Sequence, residues 1–317
     1  MTNDIHSITT QIKAEAERLG FSACGVAQAD AVDNSHAQHF KQWLTNGHNA
    51  GMAYMNNYYD KRLDPRLLME GCQSIISVAL NYYPETKLGD SQYQFALYAY
   101  GKDYHDVMKE KLSQLATFIS QSLFPNTQLN IKACVDTAPI LERYWAIKAG
   151  IGWIGKNHML ILPDKGSFFF LGELLIDQPL QYDSPITPQC GNCSLCLSKC
   201  PHGAITAQPS LNANRCLSYL TIEHKGEIPT DFSINDKDNN YKDKYIYGCD
   251  RCQLECPHNR FATPTSIKEF NPSSEFISMT PQAWQSLTRE EYQKLFRGSA
   301  VKRVKYDGLM RNIKFFK

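Results

Sequence analysis

The sequence CGNCSLCLSKCP, residues 190–201, decides how this chain is interpreted. Its cysteines follow the C-x2-C-x2-C-x3-C-P spacing, in which three thiolates bind one iron–sulfur cube and the fourth binds a neighbouring cube. A second run, CDRCQLECP at residues 249–257, repeats the spacing without its leading cysteine, which Cys216 can supply. The sequence therefore predicts two 4Fe–4S clusters and a protein that passes single electrons through its interior.

Because the fourth cysteine of such a run crosses to the other cube, eight thiolates divide into two expected ligand sets. The first is Cys190, Cys193 and Cys196 with Cys256, and the second is Cys200 with Cys216, Cys249 and Cys252. Structural zinc is the main alternative, since zinc ribbons also use paired C-x2-C elements. A disulfide framework is disfavoured, because disulfide-dense folds are far shorter. The remaining cysteines are expected to be buried apolar groups: Cys24, Cys72 and Cys134.

Composition indicates an ordinary globular protein of 317 residues, with 43% hydrophobic residues and a net charge of +1. No apolar stretch approaches the ~18 residues that a transmembrane helix needs, so we expect no membrane span. The N-terminal sequence has neither an apolar signal segment nor a twin arginine. Many thiols without an export signal predict a reducing compartment, the cytoplasm.

Hydrophobic periodicity predicts mixed helices and strands, an α+β or α/β domain, over roughly residues 1–180. The cysteine runs predict a bacterial two-cluster ferredoxin-like module after it, and a short, helical, basic region follows, so the expected fold class of the whole chain is α+β. The expected domains are residues 1–180, 181–260 and 261–317, with a proline-rich linker at 177–189 and a polar surface loop at 225–243. The expected helices are 4–19, 104–123, 139–149, 281–286 and 289–296. The expected strands are 22–27, 74–80, 95–100 and 129–135, followed by a hairpin of 157–162 with 167–176.

The C-terminal region has a local positive charge. Residues 289–317 contain nine Lys or Arg and three acids, a balance of +6, with aromatic residues interleaved: Tyr292, Phe296, Tyr306, Phe315 and Phe316. Such a segment can neutralise phosphates and stack on nucleic-acid bases. The alternative is a solvated helical face with no nucleic-acid partner.

Two further motifs precede the cysteine runs. Asp136 follows a predicted strand and precedes a predicted helix, so it is either a helix N-cap or an acid whose pKa is raised in a tight site. His105, in GKDYH at 101–105, is either a site residue or a structural hydrogen-bond donor. The glycines of 150–155 do not form a dinucleotide fingerprint and are expected to let backbone approach a large flat ligand, with Lys156 and Asn157 at its polar rim.

Taken together, the motifs resemble the epoxyqueuosine reductase (QueG) family over essentially the whole chain. The resemblance rests on KRLDPR at 61–66, GKDYH at 101–105, VDTAPILER at 135–143, GKN at 155–157, the first cysteine run, CLSYLTIE at 216–223, YGCDRCQ at 247–253, and Arg311-Asn312. It implies cobalamin and two 4Fe–4S clusters as cofactors. The implied reaction reduces epoxyqueuosine to queuosine at the wobble position of tRNA anticodons, the last step of queuosine biosynthesis.

The resemblance also implies roles for individual residues. Asp136 is the expected proton donor, which replaces the N-cap interpretation. Cobalamin contacts are expected from Arg62, Tyr104, His105, Asp136, Lys156, Asn157, Ser218 and Asp250. His105 is not expected to ligate cobalt, because Met108 replaces the glycine of the D-x-H-x-x-G signature. tRNA contacts are expected from Lys225, Lys302, Arg303, Lys305 and Arg311. The implied partners are tRNAs for Asp, Asn, His and Tyr and an electron donor, and the implied state is a monomer.

Two departures from the family pattern stand out. His258 occupies the place after Cys-Pro where tryptophan is usual, and the sequence ends soon after Arg311-Asn312, where longer members continue into helical repeats. Two alternative functions remain at this point. One is a reductase of a small molecule that uses the same cofactors, as reductive dehalogenases do. The other is a non-catalytic electron-transfer subunit, which the large N-terminal region argues against.

Overall fold

The structure, a computed structural model, describes residues 4–89, 93–206, 210–229, 232 and 244–316. Its helices are α1 (Ile5–Arg18), α2 (Asn34–Thr45), α3 (Tyr59–Leu63), α4 (Tyr104–Phe118), α5 (Glu142–Lys148), α6 (Leu195–Ser198), α7 (Leu217–Ile222), α8 (Arg251–Leu254), α9 (Ser274–Ser278), α10 (Pro281–Gln285), α11 (Arg289–Leu295) and α12 (Lys305–Phe315). Its strands are β1 (Ala23–Gln28), β2 (Ser74–Asn81), β3 (Tyr93–Phe95), β4 (Ile131–Cys134), β5 (Trp153–Ile154), β6 (Leu160–Ile161), β7 (Phe169–Ile176) and β8 (Lys244–Tyr247).

The main sheet has four antiparallel strands in the order β1-β2-β7-β4. Both central strands are buried along nearly their whole length, because both faces of the sheet are covered. Helices α1 and α4 cover one face, where Ile76 and Val78 join the largest core cluster. Helix α5 covers the other face, where Ile75 packs with Trp145. The mixed helix-and-strand architecture confirms the predicted α+β class.

The C-terminal region is part of the same core. Strand β8, just before the second cysteine run, pairs in parallel with β3 of the N-terminal region. Phe95 of β3 packs on Phe276, Trp284 and Phe296 from the C-terminal helices. One hydrophobic cluster therefore extends through all three predicted domains. The domain boundaries at 180 and 260 stay a prediction.

Several predicted elements match the structure, and others are wrong. Helix α1, strands β1, β2 and β4, and helices α4, α10 and α11 lie where periodicity placed them. The predicted strand 95–100 is wrong, because the strand ends at Phe95 and a 3-10 turn follows. The predicted hairpin is also wrong: β6 pairs with β5, while β7 enters the centre of the main sheet. Most of the predicted loop 225–243 lies outside the described residues.

None of the helices in the described part of the chain is both long enough and apolar enough to cross a membrane.

Candidate functional site

The first expected ligand set surrounds a cavity of about 170 Å³. The side chains of Cys190, Cys193, Cys196 and Cys256 line it. Helices α6 and α8 pack against each other, which brings the end of the second cysteine run to the first. Burial raises the pKa of Cys196, and the neighbouring thiols of the same set raise it further. The fourth thiol of this cavity therefore comes from the second run, as the crossed pattern predicts.

The second expected set is also brought together. Burial raises the pKa of Cys252, and Cys249, Cys216 and Cys200 add to the shift through electrostatic repulsion, so all four thiols are close neighbours. Within the described residues, no three His, Cys, Asp or Glu side chains converge closely enough to hold a single metal ion. Thiols that surround a space fit a cube of four iron atoms better than a tetrahedral zinc ion. The assignment of individual ligands stays a prediction.

Lys156 and Asn157 lie at the first cluster cavity, which they help to line. The Lys156 ammonium donates to the carbonyl oxygens of Gly191 at 2.7 Å and Cys193 at 2.8 Å, and the Asn157 amide donates to Cys252 O at 3.2 Å. These contacts hold the cysteine loops in place and use the polar atoms that were expected to bind the corrin rim. The prediction of cobalamin contacts by these two residues is therefore not supported by their position.

The glycines before them also serve the protein's own packing. A Cβ atom at Gly150 would lie 2.5 Å from Ser184 O, and one at Gly152 would lie 2.4 Å from Ile161 O. Both positions need glycine because other backbone segments approach them closely. His258, which replaces the usual tryptophan, lines the first cluster cavity. Its ring packs edge-on against that of Trp153, with the ring centroids 5.0 Å apart.

Asp136 lies at the surface beside the start of α4. Tyr54, Arg62, Tyr104 and Arg303 interact electrostatically with it, and the surface that these residues form around Asp136 is called the basin below. Asp136 Oδ2 is 3.2 Å from His105 Nε2, and its side chain is 56% exposed. Its backbone has a positive φ of 46°, an unusual conformation that often occurs at functional sites. Helix α5 begins only at Glu142, and Leu141 is its N-cap. Asp136 is therefore not the N-cap of that helix, and its carboxylate is available to a ligand.

His105 is held between two carboxylates. Its Nδ1 is 2.7 Å from Asp103 Oδ1, and Asp103 also caps α4 by accepting from the His105 backbone N–H. The bond to Asp103, and then the bond to Asp136, raise the pKa of His105 to about 9. The bond to His105 in turn lowers the pKa of Asp136. The expectation of a raised pKa at Asp136 is wrong for this state: at neutral pH the proton resides on His105.

The raised pKa of His105 links stability to pH. The pKa of His105 is 6.5 in an ordinary setting and about 9 in the folded protein. The stability that its ion pairs add is therefore complete below pH 6.5 and is lost as the pH rises through about 9. We expect Asp103→Asn, which keeps the cap, to lower the melting temperature below pH 6.5 and to have almost no effect above about pH 9. Anaerobic calorimetry across this range measures the difference. Asp106→Asn in the same helix turn is the control, and a difference that does not change with pH would contradict the ion pair.

Aromatic and basic side chains border the basin. Tyr54 and Tyr58 are 41% and 67% exposed. The Arg62 guanidinium donates to Tyr54 O at 3.2 Å and to Asn57 O at 3.1 Å, so it fixes the loop that carries both tyrosines. Tyr104 stacks on Phe170, with ring centroids 4.2 Å apart. These residues form a partly apolar surface next to Asp136, which fits the flat face and amide rim of a corrin.

Two expected cofactor residues have other contacts. Asp250 is buried, and its carboxylate accepts from Leu97 N at 2.6 Å and from the Gln253 amide at 3.2 Å, so it joins the second cysteine run to the N-terminal region. Its position does not support a cobalamin contact. Ser218 is half-buried in α7, one residue from Tyr219, whose hydroxyl accepts from Gly51 N at 2.9 Å. The cobalamin contact expected from Ser218 therefore stays a prediction.

The expected tRNA residues fall into two groups. Lys225, Lys302 and Lys305 are exposed. Arg303 is also exposed but pairs with Glu223 through two hydrogen bonds, of 2.8 and 2.9 Å, at the side of the basin. Arg311 instead donates to the carbonyls of residues 220, 224 and 226, at 2.7 to 2.9 Å, which is a structural role.

Most of the aromatic residues of the C-terminal region face the core, while Tyr306 and Phe315 are half-buried. Tyr292, Phe296 and Phe316 are buried in the core, where they pack with the other C-terminal helices. Tyr306 packs against Tyr292 and lies under the guanidinium of Arg289 at 4.7 Å. The pattern that suggested stacking on bases is therefore the core-facing pattern of α11 and α12.

Comparisons with known proteins agree with this geometry. The profile "Epoxyqueuosine reductase QueG, DUF1730" matches residues 62–137, and "4Fe-4S double cluster binding domain" matches residues 189–259. The epoxyqueuosine reductase of Cellulophaga algicola is 46% identical over 96% of this chain and 97% of its own length. The chain belongs to the epoxyqueuosine reductase family. The Escherichia coli member is 36% identical over 98% of this chain and 80% of its own length.

Solved structures of epoxyqueuosine reductases share the fold. One, in complex with a tRNA-Tyr stem loop modified with epoxyqueuosine, superposes with a TM-score of 0.86 at 29% identity, over 99% of this chain and 81% of its own. A Bacillus subtilis structure, whose catalytic aspartate loop is swung out of the active site, has a TM-score of 0.87 at 28% identity, over 99% and 82% of the two chains. The predictions of an oxidoreductase and of two 4Fe–4S clusters are confirmed by these relationships.

Proposed function

We propose that this chain reduces epoxyqueuosine to queuosine at the wobble position of tRNA, the last step of queuosine biosynthesis. Family membership over nearly the whole chain supports the reaction. The observation that carries the proposal is the ion pair of His105 and Asp136, which borders an open basin in a chain that also gathers two sets of four thiols. This arrangement combines a proton donor with a source of single electrons.

The cofactors are two 4Fe–4S clusters and cobalamin. Cobalamin, when bound, supplies a strongly reducing cobalt centre for cleavage of carbon–oxygen bonds. The residues that would hold it are Tyr54, Arg62, Tyr104 and His105, because they lie around Asp136, and Ser218 is a further candidate from the family resemblance. His105 and Asp136 share one proton at the basin, and Asp136 delivers it to the departing epoxide oxygen. A positioned acid of this kind typically contributes about 10²–10⁴-fold in rate.

The Asp136 loop is held in its inward position by contacts within this chain. The Asp136 backbone N–H donates to Glu142 Oε1 at 2.5 Å, and this bond stabilises the left-handed backbone conformation of Asp136. The loop of the Bacillus subtilis relative can leave the active site. We propose that the same loop moves in this chain when tRNA enters or leaves, and that Glu142 returns it to the basin.

The direct test measures conversion of the modified nucleoside. Anaerobic, reduced enzyme loaded with both cofactors is incubated with tRNA-Tyr that carries epoxyqueuosine, and the digested nucleosides are analysed by mass spectrometry. We expect a product lighter by one oxygen atom, and the same from the tRNAs for Asp, Asn and His. No product from any tRNA would contradict the proposal. Reduction of a free small epoxide instead would favour the small-molecule alternative.

Lys302 and Lys305 are the residues whose exposure best fits a phosphate contact. We expect the double variant Lys302→Ala/Lys305→Ala to weaken binding of the anticodon stem loop and to lower the slope of log K against log salt by about 0.7–0.9 per lost contact. Fluorescence anisotropy at several salt concentrations measures the slope. Arg18→Ala in α1, which pairs with Glu15 of its own helix, is the control. A slope equal to that of the wild type would show that Lys302 and Lys305 belong to a solvated face that does not contact tRNA.

We also propose that the enzyme is a monomer that acts in the cytoplasm, where tRNA is found and thiols stay reduced. Its electron donor is a separate protein that delivers electrons one at a time to the clusters.

A further inference from the structure

A buried carboxyl group lies behind the catalytic loop. Glu173, in the centre of strand β7, is 0% exposed, and neither of its carboxyl oxygens has a hydrogen-bond partner among the described residues. The register places Ser77 of β2 and Cys134 of β4 directly opposite it, on the face that α5 covers. The Ser77 hydroxyl is equally buried and also has no partner in the described part of the chain. Such groups are normally satisfied by internal water.

A second acid connects Glu173 to the basin. Glu142, at the start of α5, interacts electrostatically with Glu173, and its Oε1 accepts from Asp136 N at 2.5 Å. Three acids thus lead from the middle of the sheet to the basin. The titratable and charged groups that interact with Glu142 are Asp136, Arg143, His105, Tyr104, Cys134 and Glu173. Those that interact with Glu173 are Glu142 and Cys134.

The environment keeps protons on these acids. Burial raises the pKa of Glu142 to about 7, although the Asp136 N–H and the positive charge of Arg143 act in the opposite direction. Burial, and then the charge of Glu142, raise the pKa of Glu173 well above its ordinary value. A carboxyl group that is neutral near pH 7 can give up a proton when a negative charge develops nearby.

The proposed reaction needs more protons than one ion pair holds. Reduction of the epoxide consumes two electrons, which the clusters supply, and two protons. Both carbon–oxygen bonds of the epoxide break, a carbon–carbon double bond forms, and the oxygen leaves as water. The pair of His105 and Asp136 holds one of these protons.

We propose that Glu142 and Glu173 form a proton store behind the catalytic loop and supply the second proton, through Asp136, to the departing oxygen. The inference rests on the proposed function. Glu142 and Glu173 act through Asp136 and do not touch the substrate. The proton passes from Glu142 to Asp136, and Glu173 returns a proton to Glu142. Solvent restores both groups between turnovers.

The test uses variants that keep shape but cannot donate an acidic proton. Glu173→Gln is isosteric, and in Glu142→Gln the amide oxygen can still accept from the Asp136 N–H. Infrared spectra of the resting enzyme, without tRNA, should show a protonated-carboxyl band that disappears in Glu173→Gln. Ser74→Ala is the matched control. Ser74 is equally buried in β2, but it lies on the opposite face and its hydroxyl bonds Gln178 O and Leu180 N.

Single-turnover experiments with the reduced holoenzyme then compare rates in H₂O and D₂O. Each glutamine variant should bind the tRNA stem loop normally, react about tenfold to a hundredfold more slowly, and show a larger solvent isotope effect. Glu173→Asp should recover part of the rate. An unchanged carboxyl band, or slower turnover with the wild-type isotope effect, would overturn the proton store. A wild-type enzyme that does not reduce epoxyqueuosine would instead overturn the proposed function, and the infrared result would still decide whether Glu173 carries a proton.

Discussion

Asp136→Asn should retain both clusters and bind cobalamin, yet lower the turnover rate by about 10²–10⁴-fold. Asparagine has nearly the same volume and can still bond His105, so the loop should stay in place. It cannot accept the His105 proton and deliver it to the departing oxygen. Single-turnover conversion of epoxyqueuosine in tRNA measures the loss, while iron content and the corrin absorption spectrum verify the cofactors. Asp106→Asn, one residue after His105 in the sequence, is the matched control.

The pH profile gives this prediction a second readout. Because the pKa of His105 is raised to about 9, the wild-type rate should hold through neutral pH and fall as the pH rises through about 9, where His105 loses its proton. The low residual rate of Asp136→Asn should no longer follow that fall, because the proton on His105 then has no path to the substrate. A variant with the wild-type rate, or with the wild-type profile, would exclude Asp136 as the proton donor.

The cluster region could be predicted from the sequence because most of its ligands lie within short runs, where the spacing of the cysteines is visible. Cysteine spacing of three, three and four residues fixes which thiols can face one cube. The crossing of Cys256 to the first run is not local, yet the known behaviour of such runs predicts it. The structure brings Cys256 to the first cavity through the packing of α6 on α8.

The roles of Lys156 and Asn157 could not be predicted, because their partners are backbone carbonyls 35 to 95 residues away. A glycine-rich segment before a lysine and an asparagine suits close approach to a ligand and close approach to other protein backbone equally well, so the pattern does not distinguish the two. The buried acid Glu173 was missed for a similar reason. Its one signal in the sequence is that it is the single charged residue in the apolar strand FFLGELLI, residues 169–176. A charged residue in such a strand could have indicated a buried acid.

The C-terminal region shows how one pattern fits two structures. Aromatic residues between basic residues suit both a nucleic-acid surface and an amphipathic helix that packs on a core. The parallel pairing of β3 with β8 joins segments about 150 residues apart, and it creates the apolar surface that buries Phe296. No local signal in the sequence predicts that pairing. Apart from Arg311, the basic side chains of the described C-terminal residues are exposed, so the charge argument survives, whereas the buried aromatic side chains cannot stack on bases.

Cys256→Ala should remove the cluster held by the first cysteine run and abolish turnover. Cys256 is the fourth thiol of that cavity, and alanine offers no ligand to the iron atom that faces it. Iron content should fall from about eight to about four atoms per chain, since each cube holds four. Cys24→Ala is the control, because burial raises the pKa of that thiol to about 12 and it belongs to neither set.

The crossed assignment makes a sharper claim than the loss of one cluster. Cys256→Ala and Cys190→Ala should leave the same remaining cluster and therefore give the same electron paramagnetic resonance spectrum after reduction. Cys249→Ala should leave the other cluster and give a different spectrum, although Cys249 and Cys256 belong to the same run. If Cys256→Ala instead matched Cys249→Ala, each run would bind its own cube. The cavity that joins Cys256 to Cys190 would then need another explanation.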